Sequence, residues 1–406
     1  KRELIIHKKK MGNLKNIPEL RFPEFEYEGE WEIKALEDVL DYERPDKYIV
    51  SDTNYQNEGT PVLTANKSFI LGYTNEDFGI YKKLPAIIFD DFTVDNKFVD
   101  FPFKVKSSAI KILKPKKKDD LRFVYELISQ IDFNATEHKR YYISEYQKLK
   151  LPFPSIKEQQ KIASCLASLD DLIESHSQKL ELLKDHKKGL MQNLFPQKGE
   201  KIPKYRFPEF TKDGVWTEKS LDEVATILKG KGISKADIVE DGEFPCIRYG
   251  ELYTHYNETI STVKSYTNSN PKDLILSKAN DVIIPASGET QIDIAKASCV
   301  LESGVALGGD LNIIRSKING VFLSYYLNNA KKKDIAQMAQ GIAVVHLYPN
   351  QLKTLKLQIP NPKEQQKIAL CLSSLDELIK AQEERIEQLK QHKKGLMQGL
   401  FPKIED

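Results

Sequence analysis

The sequence lacks the features that mark membrane, secreted and zinc-binding proteins. It has no run of about 18 apolar residues, the length that a membrane-spanning helix requires. Its four cysteines form no CxxC pair and have no histidine cluster nearby, which argues against zinc and disulfides and favours a cytoplasmic location. The basic start has only Leu4–Ile6 as an apolar stretch, too short for a signal peptide. We expect residues 1–17 to be a disordered leader.

The sequence also lacks the motifs that mark nucleotide-hydrolysing and base-methylating enzymes. It contains no GxxxxGK[ST] phosphate loop and no Asn/Asp-Pro-Pro-aromatic loop of base methyltransferases. The carboxylates of Asp90, Asp91 and Asp95 could collect a divalent cation, as in a nuclease, but the second half of the chain has no counterpart. We interpret them as loop turns and predict no catalytic residue and no metal site.

Net charge is also small, at +2, which is weak evidence about nucleic acid because strong DNA binders are usually more basic. The 406 residues are 40% hydrophobic and 30% charged, the composition of an ordinary globular protein. This length allows two to three domains with real cores.

The chain does contain a long duplicated helix. Residues 158–196 return at 364–402 with 26 of 39 positions identical, both ending in Leu-Phe-Pro. Apolar residues alternate at spacings of four and three, which is typical of a coiled-coil seam. The predicted apolar seam residues are Ile162, Leu166, Leu169, Ile173, Leu180, Leu183, Ile368, Leu372, Leu375, Ile379, Ile386 and Leu389.

Two matched seams in one chain favour pairing of the helices with each other, although each could instead pack on its neighbouring domain. The polar seam positions His176 with Lys187, and Gln382 with Lys393, are expected to fix register. Ser155 with Glu158 has the spacing of a capping box. A 39-residue helix spans roughly 58 Å at about 1.5 Å per residue, so we interpret each helix as a spacer.

A second signature repeats with an offset of 185 residues, RFPEF followed by a tryptophan, at Arg21 with Trp31 and at Arg206 with Trp216. The repeats define the domain organisation. The predicted segments are a leader at 1–17, a first domain at 18–154, a first helix at 155–196, a second domain at 197–359, a second helix at 360–402 and a tail at 403–406.

The two domains share this frame but little other sequence. Short segments at Thr60–Thr64, Ala86–Phe89 and Ala109–Leu113 read as strands, and Leu121–Ile131 has helical spacing. The loop around Gln340–His346 takes the place of Ala135–Arg140 in the first half. Such a pattern is expected if each domain recognises something different.

The paired EQQKIA helices, the Leu-Phe-Pro ends and the RFPEF/Trp signatures resemble the DNA specificity subunit of a Type I restriction–modification system. The resemblance covers nearly the whole chain after the leader. It implies an α+β fold with two α/β target-recognition domains in tandem, separated by two helices that form an antiparallel coiled coil with a pseudo-two-fold axis. Each domain would recognise one half of a bipartite double-stranded DNA site, and the helices would set the spacing.

The same resemblance implies a subunit without catalysis of its own and without a bound cofactor. Two methyltransferase subunits would dock on the helices and bring S-adenosylmethionine for adenine methylation, and restriction subunits would bring ATP and Mg²⁺. A competing hypothesis is a coiled-coil scaffold that binds only proteins. It does not explain why two domains in the same frame differ so much.

Residue type and loop position suggest the DNA-binding residues. Lysine and arginine would contact phosphates, and polar or aromatic loop residues would contact bases. The candidates are Lys67, Lys97, Lys139, Arg140 and Tyr141 in the first domain and Lys229, Lys231, Arg248, Thr290, Gln291 and His346 in the second.

Overall fold

The computed structural model describes residues 16–66, 68–341 and 344–403, together with the backbone of Ile5–Ile6. Except for that dipeptide, the predicted leader up to residue 15 lies outside the described residues. Contacts divide the chain into two compact units, residues 1–177 with 385–406 and residues 178–384. The division falls inside both long helices, so each unit contains part of each helix rather than one helix of its own.

Unit 1 contains the first domain. Its described α-helices are α1 (Leu36–Val39), α2 (Leu121–Ile128), the first part of α3 (Ile156–Asn193) and the last part of α10 (Pro362–Leu400). Its described strands are β1 (Ile5–Ile6), β2 (Leu20–Arg21), β3 (Glu32–Ala35), β4 (Leu40–Glu43), β5 (Thr60–Leu63), β6 (Ile70–Thr74), β7 (Ala86–Asp90), β8 (Asn96–Val99), β9 (Lys104–Val105), β10 (Ile110–Pro115) and β11 (Lys150–Phe153). The predicted strands at Thr60, Ala86 and Ala109 are confirmed as β5, β7 and β10, and the predicted helix is confirmed as α2.

An antiparallel sheet in the order β4-β10-β7-β8 forms the centre of unit 1. Strand β7 lies in its interior, and its residues Ala86 to Phe89 are buried. Helix α2 packs on this sheet and begins at Asp120, whose Oδ1 accepts a hydrogen bond from Phe123 N (2.9 Å). The sheet β6-β5-β9 lies beside it in the first domain, and β11 pairs with β3.

Unit 2 contains the second domain. Its described α-helices are the last part of α3, α4 (Leu221–Val224), α5 (Tyr249–Thr254), α6 (Gln291–Ile294), α7 (Gly320–Asn328), α8 (Lys332–Met338), α9 (Pro349–Lys353) and the first part of α10 (Pro362–Leu400). Its described strands are β12 (Thr217–Ser220), β13 (Ala225–Lys229), β14 (Ile238–Val239), β15 (Phe244–Ile247), β16 (Thr259–Ile260), β17 (Ser265–Thr267), β18 (Asp281–Pro285), β19 (Ser287–Gly288), β20 (Ser298–Val300), β21 (Ala306–Leu307), β22 (Leu311–Ser316), β23 (Val345–His346) and β24 (Lys356–Ile359).

The central sheet of unit 2 repeats that of unit 1, in the order β13-β22-β18-β20-β16. Helix α7 packs on it in the way that α2 packs in unit 1, and Asn319 caps α7 by accepting from Phe322 N (2.9 Å). The second sheet has the order β14-β17-β15-β21, and β12 pairs with β24. Two domains of little sequence similarity therefore share one arrangement of strands and helices.

The RFPEF signatures attach each domain to the start of a long helix. The guanidinium of Arg21 donates to both carboxylate oxygens of Glu158, at 2.8 and 2.7 Å. Arg206 binds Glu364 at the same two distances, and Trp216 Nε1 donates to Glu364 Oε1 (3.2 Å). Glu158, which was predicted to complete a capping box with Ser155, therefore binds Arg21, and Glu364 binds Arg206 in the same way. Burial raises the pKa of Glu158, although Arg21 favours its charged form.

Within unit 1, the start of α3 and the end of α10 run in opposite directions. Near the start of α3, Glu158 binds Arg21, and the neighbouring Leu20 packs against Gly399 of α10. Further along α3, Asp170 binds Lys393 (2.7 Å), which lies earlier in α10. Every predicted seam position, in both units, is buried or half-buried.

The polar seam lysines form ion pairs with the other helix and with a domain carboxylate. In unit 1, Lys393 Nζ lies 2.7 Å from Asp170 and 3.3 Å from Glu126. In unit 2, Lys187 Nζ lies 2.7 Å from Asp376 and 3.2 Å from Glu258. Burial by itself would lower the pKa of Lys187, but the two carboxylates raise it. These ion pairs fix the register of the helices within each unit.

No helix in the described ranges is both long enough and apolar enough to cross a lipid bilayer. The four cysteines are free thiols.

Candidate nucleic-acid interface

Three loops of the first domain meet at one end of its central sheet, which we name loop end 1 (residues 91–95, 106–109 and 134–146). Because β7 and β10 are antiparallel, the end of one strand lies beside the start of the other. Asp91 N donates to Ala109 O (2.9 Å), and Tyr141 N donates to Asp91 O (2.8 Å). Residue 91 therefore holds all three loops through its backbone.

The second domain repeats this junction at loop end 2 (residues 229–234, 247–249, 286–293, 308–310 and 339–348). Ala286 N donates to Asp310 O (2.8 Å), and Leu347 N donates to Ala286 O (3.0 Å). Antiparallel pairing of Lys229 with Asn312 brings the end of β13 to the same place. The shared hydrogen bonds make Ala286 equivalent to Asp91 and Leu347 equivalent to Tyr141, so the predicted match of the two loops is confirmed.

The acidic cluster at loop end 1 is a structured turn. Asp90 Oδ1 accepts from the backbone N of Phe92 (2.9 Å) and Thr93 (3.1 Å), as the turn interpretation predicted. Asp91 is buried and forms an ion pair with the equally buried Lys111 (3.3 Å). In the described ranges, no group of three or more histidine, cysteine, aspartate and glutamate side chains could hold a metal ion.

The predicted DNA-binding residues of the first domain differ in whether their side chains are free to contact a ligand. Lys139 lies 2.9 Å from Glu137 and 3.0 Å from Glu145, and these hydrogen bonds raise its pKa. Tyr141 is only 2% exposed, and its hydroxyl bonds to the backbone of Glu137, so its ring has no surface on which a base could stack. In this structure Tyr141 therefore closes the loop and is not available to stack on a base.

The other three predicted residues of this domain lie apart from that loop or extend from it. Lys97 is half-buried on the edge strand β8, opposite Ile88. Arg140 is exposed by 48% and lies over the ring of Phe92, with its Cζ 5.4 Å from the ring centroid. Lys67 lies outside the described residues.

In the second domain, Lys229 and Arg248 line one cavity of about 770 Å³ at loop end 2, together with Lys235 and Tyr249. Lys231 is exposed in the adjoining loop, where its backbone N donates to Leu307 O (3.0 Å). Glycines bring the cavity walls together, since a Cβ on Gly230 would lie 1.9 Å from the backbone O of Gly308. Phosphate oxygens can approach such a combination of cations and exposed backbone closely.

A second cavity of about 710 Å³ is lined by Tyr249, Tyr253, Ser287, Asp293, Lys296 and others, and the remaining predicted residues Thr290, Gln291 and His346 are not part of this lining. Burial lowers the pKa of Lys296.

Thr290 caps α6 through Asp293 N (3.1 Å), and Gln291 Nε2 donates to Ala339 O (3.3 Å). His346 pairs with Ser287, with 3.2 Å between Nδ1 and Oγ. Thr290 and His346 therefore each contact a residue that lines the second cavity, Asp293 and Ser287, and Tyr249 lines both cavities.

Sequence reasoning missed Tyr249, Lys235, Ser287, Phe92 and Lys111. Tyr249 had a signal, because it follows Arg248 directly and joins a cation to an aromatic ring. The others carry no local signal, since only the fold brings them to the loop ends.

Fold and site together define a class: a duplicated protein in which two α/β domains carry cationic and aromatic side chains on equivalent loops, as nucleic-acid-binding proteins do. The family model described as Type I restriction modification DNA specificity domain matches residues 28–185 and 214–391. The chain belongs to this family and contains its domain twice.

Relatives of similar length support the assignment. The specificity subunit of the Escherichia coli Type I restriction enzyme EcoR124I/EcoR124II is 31% identical over 370 residues, which cover 86% of this chain and 87% of the relative. The MjaVIII specificity subunit of Methanocaldococcus jannaschii is 26% identical over 422 residues, covering 97% and 96%. The crystal structure of the S subunit from M. genitalium has a TM-score of 0.63 at 15% identity, covers 98% of this chain and 99% of that one, and shows the same fold.

Proposed function

We propose that the two domains recognise the two halves of a bipartite double-stranded DNA site, with loop ends 1 and 2 as the contact surfaces. One observation carries this proposal: the two domains share a backbone framework at their loop ends but present different side chains on it. Asp91 and Ala286 hold equivalent loops through equivalent backbone hydrogen bonds, while the side chains around them differ. A common frame with exchanged loop residues suits two unlike DNA sequences.

Charge on the loop ends supplies the sequence-independent part of the affinity. Arg140 at loop end 1, and Lys229, Lys231 and Arg248 at loop end 2, would contact phosphates or base edges. Each phosphate contact releases condensed counterions, so affinity falls as salt rises.

The long helices set the gap between the half-sites in this proposal. Their register is fixed in unit 1 by Lys393 with Asp170 and in unit 2 by Lys187 with Asp376. A rigid helix advances about 1.5 Å per residue, so its length translates directly into distance along DNA.

The outer faces of the helices would dock two methyltransferase subunits. Leu172 in α3 is 39% exposed, and Leu378, its counterpart 206 residues later in α10, is 58% exposed. Repeated exposed leucines suit two copies of one partner. The chain itself would catalyse nothing, and the partners would bring S-adenosylmethionine for adenine methylation and ATP with Mg²⁺ for restriction.

A selection from random duplex DNA tests the function directly. The full chain, purified with its modification subunits, is mixed with a random library, and bound duplexes are sequenced. The proposal predicts enrichment of two unlike short sequences at one fixed gap. A protein scaffold would enrich no sequence, and that result would overturn the proposal.

A further inference from the structure

Arg140 and His346 occupy the same position in the two repeats. Each immediately precedes the residue that donates the shared hydrogen bond, Tyr141 in the first domain and Leu347 in the second. The side chain of each rests against the residue that follows the equivalent strand-end residue, Phe92 after Asp91 and Ser287 after Ala286. Two domains with little common sequence therefore place different polar side chains at one structural position.

The structure orients Arg140 without neutralising it. Its guanidinium lies over Phe92, whose ring stacks on His138 with 4.9 Å between centroids and 17° between planes. The contacts of its Nη1 with Asp91 (3.6 Å) and Ser108 O (3.5 Å) are long. Asp91 is already compensated by Lys111 at 3.3 Å and by Tyr142 N at 2.9 Å. The planar guanidinium thus keeps donors for a ligand.

The neighbouring Lys139 shows the opposite arrangement. Its ammonium lies within 3.0 Å of both Glu137 and Glu145, so two local carboxylates satisfy it. Residues 139 and 140 are adjacent and both cationic, and each lies over an aromatic ring, Tyr141 for Lys139 and Phe92 for Arg140. They differ in their anionic partners, because only Lys139 is held by two carboxylates within 3.0 Å. This contrast provides a matched pair for experiment.

His346 is held in a corresponding way at loop end 2. Strand β23 pairs His346 with Ser287, and one ring nitrogen, Nδ1, lies 3.2 Å from Ser287 Oγ. This contact fixes the ring and leaves Nε2 at the far side of the imidazole to meet a partner. Histidine donates or accepts at that atom according to its tautomer.

We propose that this shared position carries the base-reading side chain of each domain: Arg140 contacts a guanine in the half-site of the first domain, and His346 contacts a base edge in the other half-site. The inference rests on the proposed function and adds to it the residues and one base. A preoriented guanidinium matches guanine O6 and N7 with two parallel hydrogen bonds.

The test uses the full chain with its modification subunits and the site found by selection. Competition binding is measured for duplexes that replace each base pair of the site in turn. In the variant Arg140→Gln, the preference for guanine at one position of one half-site falls on the order of 10-fold or more. Arg140→Lys keeps the charge but loses the planar fork, so it weakens that preference while affinity for the duplexes without the guanine changes little. His346→Ala relaxes one position of the other half-site.

Lys139→Ala is the control and leaves every base preference intact. A uniform loss of affinity for all duplexes in the Arg140 variants would show a phosphate contact and overturn the inference. Unchanged base preferences in these variants would also overturn the inference, and so would a first half-site that contains no G·C pair. Failure of the wild-type complex to prefer any bipartite site is a separate result, because it would overturn the proposed function itself.

Discussion

Lys104 is a fully buried lysine in the first domain, and Glu76 compensates its charge. Its Nζ lies 2.6 Å from Glu76 Oε2 and donates to Phe78 O (2.8 Å). Glu76 Oε1 accepts from the backbone N of Ser51 and of Asp52, both at 2.9 Å. The hydrogen bond from Lys104, and then those from the backbone, lower the pKa of Glu76. One carboxylate thus joins a buried cation to the segment that starts at Ser51.

The lowered pKa of Glu76 predicts that the stability of the fold depends on pH. Because the pKa of Glu76 is lowered in the folded state, its stabilising effect is present above the unfolded pKa of about 4.3 and is lost as pH falls through the folded pKa. Glu76→Gln leaves Lys104 buried without a charged partner, at a cost on the order of 3 kcal/mol at neutral pH. Thermal unfolding followed from about pH 7 down to about pH 2 measures both effects, because the folded pKa lies below the unfolded one.

The exposed Glu58→Gln is the control for this prediction and should behave like wild type. If Glu76→Gln lost as much stability on acidification as wild type, the Lys104 pair would not be the source of the pH dependence.

Residue type predicted which side chains carry charge but not whether that charge is available. Lys139 and Tyr141 have the composition of a DNA-binding loop, yet Lys139 is held by Glu137 and Glu145 and Tyr141 is buried. Availability depends on partners that folding supplies. Phe92, which supports Arg140, lies 48 residues away in the chain, so no local pattern could connect them.

The long helices are the elements that sequence predicts best. A four-three repeat depends only on local spacing, and every predicted seam position is buried or half-buried in the structure. Their polar positions were harder to interpret. Lys187 and Lys393 bind aspartates of the other helix together with Glu258 or Glu126 of a domain. Those domain carboxylates lie far away in sequence and become visible only in the fold.

Shortening both helices by one heptad tests the spacing role. Removing seven residues from each helix, between Asp170 and Lys187 and between Asp376 and Lys393, keeps the seam and leaves both ion pairs in place. Seven residues correspond to about 10 Å of helix, or roughly three base pairs of DNA. Binding to duplexes of graded gap length should therefore shift its optimum by about three base pairs. An unchanged optimum would contradict the spacing role.

The exposed leucines test the docking role. Leu172→Asp together with Leu378→Asp should weaken binding of the modification subunits by at least about tenfold, because a charge replaces an apolar contact at both copies of the surface. Quantitative co-purification measures the loss.

Leu182→Asp serves as the control for docking, since Leu182 is 70% exposed but its counterpart 206 residues later is Gln388. Equal recovery of the subunits with the double variant and with wild type would place the docking surface elsewhere.

At the scale of the whole molecule, the chain is one frame used twice. Arg21 with Glu158 in unit 1 is repeated by Arg206 with Glu364 in unit 2. The sequence predicted this duplication because the framework residues repeat at fixed offsets. It could not predict the cavities of loop end 2, which form from loops brought together across the central sheet.

Proximity of the chain ends in unit 1 predicts a functional circular permutant. Lys403 Nζ lies 3.8 Å from Glu19 Oε1, and Leu20 packs on Gly399. Joining Pro402 to residue 18 by a short flexible linker, with new ends in the exposed segment near Lys198, should preserve folding and DNA binding. Circular dichroism and binding assays provide the measurement. A permutant opened inside the buried helix α2 should fail, and equal failure of both permutants would contradict this arrangement.

Mapping of N6-methyladenine tests the central claim most directly. A bacterial host without other adenine methylation would express this chain with its modification subunits, and all methylated adenines would be sequenced. The account predicts one motif of two unlike halves at a fixed gap, which disappears when this chain is omitted. A single contiguous motif, or methylation that persists without the chain, would contradict the claim that its two domains each recognise half of the site.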